Sequence, residues 1–221
     1  DPVADGPIFQ EACERALENG ITPRKCIQGV RKARASGLEI PIIVTTYYNI
    51  PYVFGLDEFA RELEVAGVQG LIVPDVPVEE VNELGEVCRE RNLDVILQVT
   101  PNTSEERLEE IVDVTSGFLY IVNFEGVTGP RKTVSDSTAK LIKTVRKYSD
   151  VPLMAGFGVS SGEHARKLVS AGADGVITGS ALGEIYTDNK ENPEEKLPEI
   201  GEFAREIKRG ANEGYKEWRS F

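Results

Sequence analysis

Six short apolar runs, each followed by helix-type sequence, recur along the 221 residues, and this alternation constrains the chain more than any other feature. The runs are IIVTTY (42–47), GLIVP (70–74), VILQV (95–99), FLYIV (118–122), VPLMA (151–155) and GVIT (175–178). They are nearly continuous and rich in β-branched residues, which suits strands buried on both faces of a parallel sheet. Successive starts lie 28, 25, 23, 33 and 24 residues apart. That is the spacing of repeated βα units, not of a sandwich or a helix bundle.

Between the runs the apolar period becomes helical. Phe59, Leu63 and Ala66 share a face, as do Val81, Leu84 and Cys88; Leu108, Ile111 and Val112; Leu141, Ile142 and Val145; and Ala165, Leu168 and Val169. Thr22 before Pro23 predicts a capped helix start, and Thr103 with Glu106 and Ser160 with Glu163 predict capping boxes. A last helix from about residue 193 is expected to bury Leu197, Ile200, Phe203, Ala204, Ile207 and Ala211. The first helix, at about 9–19, has no strand before it, and DPVADGP reads like the loop after one. The class is therefore α/β. A (β/α)₈ barrel, which usually takes about 250 residues, would lack its first two strands here; a doubly wound open sheet is the competing architecture. One domain over 1–221 is expected, incomplete at its front.

Charge narrows the partners. Lys and Arg number 25 against 37 Asp and Glu, a net charge of −12. That disfavours nucleic acid, whose binding rests on neutralising phosphates. It still permits one small phosphate held by backbone N–H groups. No apolar run approaches the ~20 residues of a membrane span, and no secretory leader is expected. Cys13, Cys26 and Cys88 are odd in number and far apart, so they suit neither a disulfide framework nor a metal site. Reduced thiols in the cytosol are expected.

Two glycine loops carry the strongest chemical signal. Gly156-Phe157-Gly158-Val159-Ser160 and Thr178-Gly179-Ser180-Ala181 each follow a strand and open a helix. Glycine lets a backbone approach a ligand, and free N–H groups at a helix start attract an anion. Each loop alone could be a tight turn. Two in successive units point to the phosphate site that barrels build after late strands. Asp1 and Asp5 on the opening loop are candidate acids, or turn formers. NFEGVTGPR (123–131) suits a lid or a long surface connection. His164, the only histidine, is expected on a solvated helical face beside Glu163, Arg166 and Lys167.

In order along the chain, DPVADGP, TYYN (46–49), PDVPVEE (74–80), TPNT (100–103), GVTG (126–129), GFGVS (156–160) and GSA (179–181) form a set that resembles the alpha subunit of tryptophan synthase, from residue 1 to about 185. The resemblance implies a phosphate-binding (β/α)₈ barrel, a lyase of tryptophan biosynthesis. Its reaction would be the retro-aldol cleavage of indole-3-glycerol phosphate to indole and glyceraldehyde 3-phosphate. Indole would pass to a beta subunit in an α₂β₂ assembly, and pyridoxal phosphate would sit on that partner only. No metal or cofactor is implied on this chain.

Carried over by motif, Asp5 is the catalytic aspartate, which accepts the indole N–H. Thr128 and Gly129 belong to the lid. Gly156, Phe157, Gly158, Gly179 and Ser180 form the phosphate loops. Tyr47, Ile72 and Tyr120 line the indole pocket, where pattern alone would read Tyr47 and Tyr120 as strand-end core. Asn49 and residues 75–77 fall where the family meets its partner subunit or shapes neighbouring loops. The family's second acid, a glutamate ahead of the DPVADGP loop, is expected upstream of Asp1, which does not replace it. Without that glutamate, cleavage by these 221 residues is expected to fall by ~10²–10⁴. Thr45, Pro74, Gln98 and Asn123 depart from the pattern and make the pocket more polar. Two alternatives remain: an inactive fragment that binds the beta subunit, or another phosphate-binding barrel acting on a different phosphorylated substrate.

Overall fold

All six apolar runs form parallel strands in a computed structural model of the protein, which describes residues 2, 5–122, 136–156 and 158–220. The third run breaks at Leu97, so the described residues hold seven strands in two sheets. The chain divides into two compact units. One comprises Asp1–Ala4, Glu11–Leu97 and Asp113–Gly117, the other Asp5–Gln10, Gln98–Val112 and Phe118–Phe221.

The first unit carries a three-stranded sheet of β1 (Ile43–Thr45), β2 (Gly70–Ile72) and β3 (Asp94–Ile96), in that order. Its helices are α1 (Pro7–Glu18) from Glu11 onward, α2 (Pro23–Ala35), α3 (Asn49–Phe54), α4 (Leu56–Ala66) and α5 (Asn82–Glu90). Val44, Leu71 and Val95 stand in register. The helical faces follow the apolar period: Phe59, Leu63 and Ala66 of α4 are buried, and so are Leu84 and Cys88 of α5. Thr22 caps α2, accepting from the Lys25 N–H at 3.3 Å. The Arg34 guanidinium donates to the carbonyls of Leu38, Ile40 and Gly67, so one side chain ties the segments that lead into β1 and β2.

The second unit carries β4 (Gln98–Val99), β5 (Leu119–Val122), β6 (Leu153–Gly156) and β7 (Gly175–Ile177), again in chain order. Its helices are α6 (Glu105–Val114), α7 (Asp136–Val145), α8 (Gly162–Ser170), α9 (Ser180–Thr187) and α10 (Leu197–Trp218). The pleat sorts the side chains of β5, β6 and β7 into two faces. Leu119, Ile121, Leu153 and Ala155 are fully buried on one face, and the helices supply buried Ile142, Val145, Ala165, Leu168 and Val169. The register stacks Tyr120, Met154 and Gly175, then Val122, Gly156 and Ile177, on the other. That second face is more open: Tyr120, Met154 and Ile177 are only half-buried.

Three local expectations are corrected. The hydroxyl in the first turn of α6 is Ser104, which accepts from Arg107 N–H at 3.2 Å. Thr103 instead accepts the Thr100 N–H at 3.0 Å and closes the TPNT turn. At α8 the cap is Ser161, whose backbone is extended (φ −158°, ψ 160°), not Ser160. Along α10, Ala204 is exposed and Leu197 is 55% exposed; the buried positions are Ile207, Gly210 and Gly214. A β-carbon on Gly210 would run into the carbonyl of Gly162, and one on Gly214 into that of Arg166. α8 and α10 therefore meet backbone to backbone, and the contact is made by missing side chains, which a search for apolar residues passes over.

Candidate active site

The two glycine loops look equivalent in sequence, but their helices begin differently. α8 is closed. Ser161 Oγ accepts the His164 N–H at 3.3 Å, and Glu206 of α10 accepts the Gly162 N–H at 2.7 Å. α9 has no side-chain cap; Gly179 precedes it with φ −125° and ψ −75°. An uncapped first turn presents backbone N–H groups and the positive end of the helix dipole, the natural seat of an anion. So α9 offers its terminus at Gly179 and Ser180, whereas the earlier loop can offer only its own turn at Gly156 and Gly158. Gly158 holds φ +72°, which a side chain would strain.

The start of α1 reaches the same place. Gly6 O accepts the N–H groups of Phe9 and Gln10 at 3.1 and 3.0 Å, and Gln10 Nε2 donates to Asp5 O at 2.8 Å, which fixes the Asp5 backbone. Phe9 packs on Gly179, its Cε2 and Cζ each 3.4 Å from where a β-carbon there would stand. Ile8 does the same at Gly183, at 2.9 Å. Asp5 thus stands three and four residues before side chains seated at the start of α9.

Tyr120 closes the group. Its Cε2 and hydroxyl lie 2.6 and 2.7 Å from the point a β-carbon on Gly156 would occupy, so this edge of the ring fills the space over the glycine. Burial pushes the phenol up to about 12, and the negative charge of Asp5 adds to the shift. Tyr120 is therefore a neutral O–H donor at physiological pH, with the Asp5 carboxylate within its field. Asp5, Tyr120, Gly156, Gly158, Gly179 and Ser180 belong to one unit.

Tyr47 and Ile72 lie in the other unit, Ile72 at the end of β2 and Tyr47 two residues past the end of β1. Ile72 is buried, Tyr47 is half-buried, and the Thr46 N–H donates to Ile72 O at 3.0 Å. Of the positions that depart from the family pattern, Thr45 is exposed and Pro74 and Gln98 are half-buried. Asp1, Asn123, Thr128, Gly129 and Phe157 lie outside the described residues.

The sequence reading missed His164. It is 6% exposed, not solvated. Its Nδ1 lies 3.1 Å from Gly158 O, 3.3 Å from Ser160 N and 3.4 Å from Ser160 Oγ. The polar neighbours Glu163, Arg166 and Lys167 suggested an outward face. The available signal was spacing: position 164 is one helical turn past a glycine loop, where a side chain folds back over the segment before its helix.

Among the described residues, no group of three or more His, Cys, Asp or Glu is placed to hold a metal ion, and no helix is long and apolar enough to cross a membrane. The family model described as tryptophan synthase alpha chain matches residues 1–212. The tryptophan synthase alpha chain of Methanoregula boonei is 43% identical over 96% of this chain and 80% of its own length. That of Methanothermobacter thermautotrophicus is 43% identical over 97% and 79%. Among solved structures, the chain is similar to the tryptophan synthase alpha subunit of Legionella pneumophila, with TM-score 0.85 and 31% identity over 96% of this chain and 78% of that one. It is also similar to a chain of the tryptophan synthase α₂β₂ complex of Pyrococcus furiosus, with TM-score 0.84 and 36% identity over 93% and 83%.

Proposed function

We propose a division of labour among the residues of this chain, which belongs to the tryptophan synthase alpha chain family. It is a lyase of tryptophan biosynthesis with that family's (β/α)₈-barrel fold, and its reaction is the aldol cleavage of indole-3-glycerol phosphate to indole and glyceraldehyde 3-phosphate. The substrate phosphate is bound by backbone N–H groups at Gly158, Gly179 and Ser180, and Gly156 leaves its side-chain space to the Tyr120 ring. The uncapped start of α9 supports this assignment.

Cleavage needs a proton at the indole carbon that carries the side chain. Protonation places positive charge on the ring nitrogen, and the Asp5 carboxylate accepts that N–H and stabilises the charge. Loss of the hydroxyl proton from the adjacent glycerol carbon then breaks the carbon–carbon bond. The bonding pair returns to the indole ring, and the hydroxyl carbon becomes the aldehyde of glyceraldehyde 3-phosphate. On the family's pattern, the proton is moved by the glutamate ahead of DPVADGP. Tyr120, neutral and within the field of Asp5, walls the indole end of the site. A fixed carboxylate aimed at developing charge is a preorganised electrostatic stabiliser.

No cofactor is assigned to this chain; pyridoxal phosphate belongs to a beta subunit. An α₂β₂ partner is supported by the Pyrococcus furiosus relative and by an exposed face on α3. There Tyr52 and Val53 are 70% and 84% exposed, and Asp75 holds the Tyr48 N–H at 2.9 Å just before the helix. A cytoplasmic setting belongs to the same reading, that of a biosynthetic lyase.

The observation that carries the reading is the anion seat itself: the uncapped start of α9 at Gly179, with Phe9 of the Asp5 segment packed on that glycine and Tyr120 lying over Gly156. The test is indole release from indole-3-glycerol phosphate, with and without a tryptophan synthase beta subunit. Asp5→Asn should lower kcat by about 10²–10³ while glycerol 3-phosphate still binds. Turnover by Asp5→Asn equal to that of the unaltered chain would remove Asp5 from the chemistry. Stimulation of the beta subunit with no cleavage would leave a binding partner only.

A further inference from the structure

We propose that His164 is the positioning residue of the phosphate loop, setting the backbone of Gly158–Ser160 through its Nδ1 atom. This rests on the reading of Gly158 as part of the phosphate seat, and it assigns a role to the one buried histidine that the reaction itself does not use.

The geometry is specific. His164 lies in the first turn of α8, and two of its groups engage the segment before the helix. Its N–H is held by Ser161 Oγ at 3.3 Å. Its Nδ1 stands within 3.1–3.4 Å of Gly158 O, Ser160 N and Ser160 Oγ. Gly158 holds its left-handed φ of +72° between those anchor points. A ring nitrogen carries either a proton or a lone pair, never both. With a proton, Nδ1 donates to the Gly158 carbonyl and the Ser160 N–H is released. With a lone pair, it accepts the Ser160 N–H and leaves the Gly158 carbonyl to other donors. The tautomer therefore decides which backbone group the loop can present. An anion favours the form that frees an N–H, so a bound phosphate selects the proton on Nδ1.

A side chain that only filled space would not need a nitrogen here. Phenylalanine keeps the volume and buried ring but loses Nδ1. Asparagine is smaller, yet its amide carries a donor and an acceptor two bonds from Cβ, as Nδ1 is. His164→Phe should weaken glycerol 3-phosphate binding by calorimetry, and raise KM for indole-3-glycerol phosphate, by about fivefold, the equivalent of one ordinary hydrogen bond. kcat should change less than twofold, because the interaction is made equally in ground and transition states. His164→Asn should recover most of that loss.

A second readout is independent of the variants' folding. His164 is the only histidine in the chain, so its imidazole ¹⁵N resonances are assigned by default. Adding glycerol 3-phosphate to the unaltered protein should shift them toward the form protonated at Nδ1. Tight glycerol 3-phosphate binding with unmoved imidazole resonances would overturn the proposal, as would His164→Phe binding at full affinity or His164→Asn no better than His164→Phe. Failure of the lyase reading looks different: resonances that respond to glycerol 3-phosphate while indole-3-glycerol phosphate stays uncleaved would keep His164 in place and remove the reaction.

Discussion

The Tyr120 hydroxyl stands 2.7 Å from where a β-carbon on Gly156 would be, so the two positions share one space and only one of them can carry a side chain there. Ile177 closes the other side, 3.0 Å from the same point. Gly156→Ala must therefore push Tyr120 off the strand face or spread β6 from β7. Overpacking of this kind costs about 1–3 kcal/mol, readable in urea unfolding. Because the displaced ring lies within the field of Asp5, kcat/KM should fall by about 10². A variant with full activity would mean that the ring can move without consequence.

Tyr120 should ionise only well into the alkaline range. Its phenol is raised above the ordinary value of 10.0, first by burial and then by Asp5. A raised folded value means that the stabilisation is intact below about 10 and lost as pH climbs toward about 12. Asp5→Asn removes the negative charge, so the same phenol should titrate at lower pH while burial keeps it above 10. Ultraviolet difference titration, with Tyr120→Phe as the assignment, checks this. An unmoved titration in Asp5→Asn would place the carboxylate out of range.

At the acid end the relevant pair is Glu163 and Arg166. Hydrogen bonds from Arg166 hold the Glu163 carboxyl down to about 2, from 4.5. A lowered folded value stabilises above about 4.5 and is lost as pH falls toward 2. Both groups are solvent-facing, so the effect is a modest slope. Thermal midpoints should fall less steeply across that window in Glu163→Gln than in the unaltered chain. Equal slopes would show that the pair contributes nothing measurable.

The junction of α8 and α10 gives a sharper contrast. Gly210→Ala drives a methyl group into the Gly162 carbonyl and should destabilise by about 3 kcal/mol, the upper range for overpacking. Gly201 lies on the same helix, with only the tip of Arg205 nearby, at 3.7 Å. Gly201→Ala should therefore stabilise by about 0.8–1 kcal/mol through helix propensity. Denaturant midpoints of both variants decide the matter, and two losses of equal size would contradict the close contact.

The strands were legible because burial on both faces writes itself as continuous β-branched sequence, and Val95–Val99 failed only in being broken at Leu97. Helix faces such as Phe59, Leu63 and Ala66 were legible because apolar side chains make those contacts. The α10 face was not, since Gly210 and Gly214 work by having no side chain. Caps were misplaced by one residue at Thr103–Ser104 and Ser160–Ser161. Each is a pair of adjacent hydroxyls, and only the backbone angles choose between them. At the site, glycine spacing located both loops but could not tell that Ser161 and Glu206 close one helix end while α9 stays open. His164 was hidden by its charged sequence neighbours.

Ile8 and Phe9 rest on Gly183 and Gly179, and the acid they follow is fastened to the same turn of α1. Whatever grips one end of that wedge steadies the other. A substrate stripped of its phosphate should then suffer in kcat as well as in affinity, since it would leave the proton-facing carboxylate without its footing; comparing indole-glycerol with its phosphate ester reads that difference directly.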